Sequence, residues 1–370
     1  MTSFDELTTP CLLVDESKLQ ANIDRLAGHA DHLGVQLRPH LKTTKSLDVA
    51  GRVLTGGTGP ATVSTLAEAE VFARAGVRDI LYAVGIAPQK LPRVAQLRAG
   101  GCDVTVILDS IAQARAVAAT RIPALIEIDC DGHRGGLRAD DPALLEVARI
   151  LHQGNALRGV LTHAGESYNV YGRQAHAQLA ALERDAVVTA AAALRAEGLP
   201  CDVVSVGSTP TAHAAEDLAG VTELRAGVYV FQDLVMAGIG VCTPEQIALS
   251  VLTTVIGHQH EKGWVLIDAG WMALSRDRGT ARQAVDQGYG LVCTAEGDIL
   301  PDLIVTQANQ EHGIIEVRPG SNAALPDLPL GARLRIIPNH ACATAAQHGA
   351  YHVVSPGSDV VDVWPRFGGW

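Results

Sequence analysis

The chain has 370 residues, a formal net charge of -11 at pH 7, and 47% hydrophobic residues, of which few are aromatic. That acidity argues against nucleic acid or an anionic membrane as a partner. No window approaches the roughly 20 apolar residues of a membrane span. The opening MTSFDELTTP lacks the basic start and apolar core of a signal peptide. A cytoplasmic protein acting on a small molecule is expected.

In chain order, TPCLLVDESKL opens as a strand followed by a helix start. Eight β-rich runs then alternate with helical ones: 35–40, 61–64, 79–84, 103–108, 123–129, 157–165, 202–208 and 221–227. Between them lie stretches such as STLAEAEVFARAG and QAHAQLAALERDAVVTAAAALRAEG, where apolar residues recur every three or four and no proline intrudes. Strict alternation repeated eight times predicts an α/β fold, a closed (β/α)8 barrel. An open doubly wound sheet is the alternative, although no GxGxxG follows the first strand. After residue 245 the runs IALSVLTTVIGHQ, GWVLIDAG, GLVCTAEGDIL, HGIIEVRP, ARLRIIPNH and AYHVVSPGSDVVDVW predict an all-β domain. The expected division is a barrel over 17–243 and a β-domain formed by 1–16 with 244–370, the first strand pairing into the latter.

A (β/α)8 barrel builds its chemistry at the C-terminal ends of its strands. There the first strand offers His40 and Lys42, the fifth Asp129, Asp131, His133 and Arg134, and the sixth Thr162, His163 and Tyr168. Lys42 and Lys45 are two of only five lysines, and a lysine, unlike an arginine, can serve as an amine nucleophile or base. The seventh and eighth strands end in VGSTPT and RAGVYVF, loops suited to a phosphate. A phosphate site, a lysine, an arginine and a residue to stack on a ring together suggest pyridoxal phosphate held as a Schiff base. Seven scattered cysteines form no disulfide framework and no CxxC pair. His340 and Cys342 stand two apart in PNHACAT, so on a strand both would face one side and could bind a divalent cation. As a bare pattern that signal is weak.

The motifs TPCLLVD, RPHLKTTKS, STLAEAEVFARAG, EIDCDGHRGG, THAGESY, VGSTPT, RAGVYVF, DAGW, NQEHG and PNHACAT resemble, in order, those of the fold type III pyridoxal phosphate enzymes of the D-threonine aldolase and D-serine dehydratase group. The resemblance spans nearly the whole chain. It implies an alanine racemase-like barrel with Lys42, not Lys45, as the cofactor lysine. It further implies Arg134 at the phenolic oxygen, His163 and Tyr168 at the ring face and ring nitrogen in an order left open, and Ser208, Thr209, Gly227, Val228 and Tyr229 as the phosphate cup. His340 and Cys342 resemble the metal pair of the dehydratases, with zinc, manganese or magnesium as the divalent ion. Aldolases of the group carry an aspartate in place of Cys342 and a GGGTG-like loop in place of VGSTPT, so both departures favour a dehydratase.

The implied reaction is loss of water from a D-configured 3-hydroxy amino acid, foremost 3-hydroxyaspartate to oxaloacetate and ammonia. D-serine dehydration to pyruvate and retro-aldol cleavage are the alternatives. The group also implies a homodimer. For a second substrate carboxylate, Arg138, Arg276, Arg278 and His312 are candidates by charge and position.

Overall fold

The computed structural model describes residues 2–355 and 359–370, so residues 356–358 of the last β-rich run lie outside the described residues. Two compact units emerge, Asp24–Gly227 with Gly368–Trp370, and Met1–Ile23 with Val228–Phe367. One division falls inside the helix Glu16–His32 and the other just past the eighth barrel strand, against the expected 16/17 and 243/244. The first turns of that helix belong with the β unit because the Asn22 amide donates to the carbonyls of Gln246 (2.9 Å) and Val230 (3.4 Å).

The first unit holds eight parallel strands, Gln36–Pro39, Ala61–Val63, Asp79–Gly85, Asp103–Leu108, Ala124–Ile128, Leu157–Thr162, Val203–Val206 and Glu223–Ala226. They pair in sequence order, and the eighth pairs with the first. A parallel bridge between His40 and Thr62 brings the first strand to the second and completes the ring. Polar side chains set where the outer helices begin. Thr65, Ser110, Asp141 and Ser208 each accept an N–H from the first turn of the helix that follows, satisfying one of its unpaired donors.

The barrel interior is not uniformly apolar. Leu81, Ile107, Leu125 and Leu161, from the third to sixth strands, form one buried cluster. Register sets Glu127, Leu161, Ser205 and Glu223 side by side on the same face. Arg38 and Arg225, opposite one another in register, lie two residues further along. Buried charge has to be paired, and it is: Arg38 meets Glu223 at 2.7 Å and Asp79 at 2.8 Å, and the Ser205 hydroxyl donates to Glu223 at 2.6 Å. Arg225 donates to Ser205 and, at 2.5 Å, to the carbonyl of Thr162. This ladder fixes the seventh, eighth and first strands, whose ends carry much of the polar loop chemistry.

The second unit is a ten-stranded sheet in the order Thr2–Ser3, Asp359–Pro365, Ala350–Val354, Cys11–Asp15, Leu249–Gln259, Trp264–Ile267, Gly313–Val317, Ile299–Ala308, Leu291–Thr294 and Arg333–Ile337. The last strand also pairs with Leu249–Gln259, which curls the sheet on itself. Cys11–Asp15 lies inside the sheet, antiparallel to Leu249–Gln259 and parallel to Ala350–Val354. Its Cys11 and Leu13 pack with Phe4, Leu252, Val354 and Val360. No helix among the described residues is long and apolar enough to cross a membrane.

Candidate active site

At the end of the first strand the His40 N–H donates to the Ala226 carbonyl (2.7 Å) and the Leu41 N–H to that of Thr62 (2.8 Å). The chain then turns tightly, with the Thr44 and Lys45 N–H groups both donating to the Leu41 carbonyl. The turn sends the two lysines to different surroundings. Lys45 Nζ lies 3.1 Å from Glu68 Oε1, and the Glu68 side chain is 1% exposed. That carboxylate also accepts from the Ser64 N–H (3.1 Å) and hydroxyl (2.9 Å) and from the Thr65 hydroxyl (3.2 Å). Lys42 is exposed, and no ion pair to it occurs among the described residues. Its charge faces His40 and His163.

His163 directly follows the sixth strand. Its Nδ1 sits 2.7 Å from the Gly207 carbonyl, which can only accept, so Nδ1 carries the proton and Nε2 keeps a lone pair. Burial, reinforced by the charges of Lys42, Arg134 and Arg225, outweighs that hydrogen bond and lowers its pKa to about 3. The Tyr168 ring lies 6.3 Å away, tilted by 44°. Arg134 Nη2 is 3.3 Å from Glu127 and its side chain is 61% exposed, leaving the rest of the guanidinium open to a ligand. The fifth-strand loop is held by carboxylates: Asp129 accepts from the N–H groups of Asp131 and Gly132, and Glu166 meets His133 Nδ1 at 2.8 Å.

After the seventh strand, Ser208 caps the helix Thr209–Ala214. The Thr209 hydroxyl is buried and has no hydrogen-bond partner among the described residues. A buried hydroxyl left with a proton to give suits a phosphate oxygen. Gly207 is required here, because its φ is +150° and a Cβ would sit 1.8 Å from the Arg225 carbonyl oxygen. Past the eighth strand, Gly227 leads into the turn Val228–Val230. The Tyr229 hydroxyl, in the β unit, is likewise buried without a partner among the described residues.

In the β unit, His340 and Cys342 are not on a strand. The strand Arg333–Ile337 stops before Pro338, which has no N–H to continue the ladder. His340 then stands just before the short helix Ala341–Ala345, in which Cys342 lies. The two side chains still meet through a hydrogen bond. His340 Nδ1 is 2.6 Å from Asp277 Oδ2. Burial works against the charged ring, but the bonds to Asp277 and Cys342 prevail and raise its pKa to about 11. A cation would replace that proton. A carboxylate on the far ring nitrogen is the usual way a metal-binding histidine is oriented, so the donor set fits a divalent ion. Among the described residues no group of three such side chains converges, so a bound ion would take its remaining ligands from water or substrate.

Asp277 escaped the sequence reading because it stands between Arg276 and Arg278, which drew attention for their charge. Arg276 lies over the Trp271 ring at 4.0 Å, and Arg278 pairs with Asp286 at 2.5 Å. Arg138 pairs with Asp140 at 3.0 Å, and His312 is exposed.

Two domain families match. Residues 14–234 fit the alanine racemase N-terminal domain, and residues 248–354 fit a serine dehydratase domain. D-threo-3-hydroxyaspartate dehydratase from Delftia sp. (strain HT23) is 55% identical, with 98% of each chain covered. The solved structure of that enzyme superposes with a TM-score of 0.96 at 54% identity, covering 100% of both chains. A cysteine-to-alanine mutant of D-threo-3-hydroxyaspartate dehydratase, solved in a metal-free form, gives the same TM-score at 53% identity and 100% coverage of both chains. D-serine dehydratase of Dictyostelium discoideum is 30% identical over 97% of this chain and 96% of its own. The chain therefore belongs to the alanine racemase-like enzyme family, in the branch that couples the barrel to a serine dehydratase domain.

Proposed function

We propose that the chain is a pyridoxal phosphate-dependent lyase that removes water and then ammonia from a D-configured 3-hydroxy amino acid, with 3-hydroxyaspartate as first choice and D-serine as second. The observation that carries the reading is the contrast between the two lysines at the barrel mouth. Lys45 is spent on a buried carboxylate, whereas Lys42 stands exposed beside two histidines that burial keeps neutral. The whole-chain similarity to a D-threo-3-hydroxyaspartate dehydratase supports the substrate class.

The cofactor, when bound, would supply an electron sink for the charge left at the substrate's α-carbon. Lys42 Nζ is the group to hold the cofactor and then to move the α-proton. The Thr209 hydroxyl, with Ser208, Gly227, Val228 and Tyr229, would cradle the phosphate. Arg134 would face the phenolic oxygen. His163, fixed by Gly207, and Tyr168 would bound the ring. His340 Nε2 and Cys342 Sγ would hold a divalent ion, with Asp277 orienting the histidine; such an ion can polarise a hydroxyl leaving group. Loss of water leaves an enamine, which tautomerises and is hydrolysed to a 2-oxo acid and ammonia. A cytoplasmic location and a homodimer complete the reading.

The test is product analysis of the purified chain with D-3-hydroxyaspartate, D-serine and D-threonine. Ammonia with oxaloacetate from the first substrate is expected. Glyoxylate with glycine from D-3-hydroxyaspartate, or acetaldehyde with glycine from D-threonine, would make it an aldolase instead.

A further inference from the structure

The long helix Arg173–Ala196 carries one buried acid, Glu183, that the mechanism above leaves unused. Its Oε1 accepts the Ala164 N–H (2.9 Å) and the Gly207 N–H (3.0 Å). Those residues adjoin His163 and Ser208, so a single oxygen ties together the loops after the sixth and seventh strands. Its Oε2 lies 2.7 Å from the Thr211 hydroxyl. From there a chain of buried hydroxyls continues through Thr211 to Ser208 (2.9 Å), Ser208 to Ser167 (2.8 Å), and Ser167 to the Ala164 carbonyl (2.7 Å).

Protons can be counted along this chain. Its four oxygen–oxygen contacts each need one proton, and the three hydroxyls supply three. The carbonyl at the far end can only accept, so Ser167 must donate to it, Ser208 to Ser167, and Thr211 to Ser208. The remaining contact, Thr211 with Glu183, then lacks a proton unless the acid provides it. The backbone N–H groups of Ser208 and Thr211 point into the same hydroxyls and fill their acceptor sides. We propose that Glu183 is a positioning residue held as the neutral acid, whose carbonyl oxygen pins the His163 and Ser208 loops while its proton closes the hydroxyl chain. The inference rests on the proposed function for its catalytic consequence.

Burial, the largest influence on Glu183, raises its pKa, opposed by its hydrogen bonds with Thr211, Ala164 and Gly207 and by the charge of Arg225. The charged or titratable groups facing it from the strands are Arg225 on the eighth and Cys130 after the fifth. Neither hydrogen-bonds to it among the described residues, and Arg225 is engaged by Ser205 and Thr162. With the Ser208 proton committed to Ser167, Thr209 rather than Ser208 is the residue of this pair with a hydroxyl proton left for a phosphate.

The experiment uses the full chain with Glu183→Gln, Glu183→Ala and Thr211→Val. Glutamine reproduces the neutral acid, since its carbonyl can take both backbone N–H groups and its amide can donate to Thr211. The wild-type minus Glu183→Gln infrared difference at neutral pH, without cofactor, should show a protonated-carboxyl C=O band; a carboxylate band in its place overturns the proton assignment. Pyridoxal phosphate affinity, read by absorption titration, should stay within about threefold of wild type in Glu183→Gln and fall at least about tenfold in Glu183→Ala, the worth of one or two positioning hydrogen bonds. If Glu183→Ala does not fold, Thr211→Val, nearly the same shape, breaks the chain at its first two links and should weaken binding in the same direction. Affinity unchanged in Glu183→Ala or Thr211→Val overturns the positioning role, as does Glu183→Gln falling as far as Glu183→Ala. If the wild-type chain binds no pyridoxal phosphate, the proposed function fails, while the infrared difference still decides the state of Glu183.

Discussion

Replacing each barrel-mouth lysine by methionine should produce opposite phenotypes. Lys45→Met removes a cation 3.1 Å from a carboxylate that is 1% exposed, and Lys45 itself is 17% exposed. Breaking a fully buried pair typically costs about 3–5 kcal/mol. Glu68 keeps its bonds from Ser64 and Thr65, so the charge is not abandoned, and the loss should be nearer about 2 kcal/mol, the worth of one hydrogen bond to a charged group. For a unit of this size that is a fall in Tm of about 4–8 °C. Lys42→Met removes an exposed side chain without an ion pair and should change stability by no more than about 0.5 kcal/mol. The assay is thermal unfolding of the cofactor-free proteins, because a cofactor bound to one variant and not the other would shift its Tm by mass action. Equal destabilisation by both substitutions, or a neutral Lys45→Met, would refute the division of labour between the lysines.

Gly207→Ala should fail to fold or lose more than about 4 kcal/mol, since it adds both strain at φ +150° and a Cβ 1.8 Å from the Arg225 oxygen; a soluble variant with wild-type Tm would contradict this. His213, lowered to about 3 by burial and by the charges of Arg25 and His29, should make the fold acid-sensitive. Because its folded pKa lies below the unfolded value of roughly 6.5, the unfolded chain takes up the proton first, so stability is intact above pH 6.5 and is lost as the pH falls towards 3. At pH 5.5 that is about 1.4 kcal/mol, and denaturant titrations at pH 7.5 and 5.5 should show His213→Leu losing less than wild type by that amount. Asp277→Ala should weaken divalent metal binding about 10–100-fold in a chelator competition, and an unchanged affinity would remove Asp277 from the site. Cys342→Ala and exhaustive chelation should each abolish ammonia release without releasing pyridoxal phosphate, and full activity after both would leave Cys342 as a half-buried thiol with no part in the reaction.

The barrel was legible because its strands are short runs separated by helical stretches, four of them led by a capping residue, and the observed strands fall on the eight expected runs. What periodicity could not show is which inward positions are polar. Ser205, Glu223, Arg225 and Arg38 read as ordinary strand residues until register stacks them into one ladder. Glu183 was hidden differently. In an alanine-rich helix with Arg184 and Asp185 beside it, it looks like part of a solvated face, and only the packing of that helix turns it inward. The spacing of His340 and Cys342 predicts neighbours on one face of a strand, and the structure brings them together in another way. Pro338 ends the strand, and the two side chains converge at a helix start, with Asp277 arriving from 63 residues away in the chain.

The central claim, that Lys42 carries the cofactor, is tested most directly by borohydride reduction of the chain incubated with pyridoxal phosphate, followed by peptide mapping. A phosphopyridoxyl group on Lys42, absent from Lys45 and lost in Lys42→Ala with the absorption band, is the predicted result; the group on Lys45, still bonded in Lys42→Ala, would contradict it.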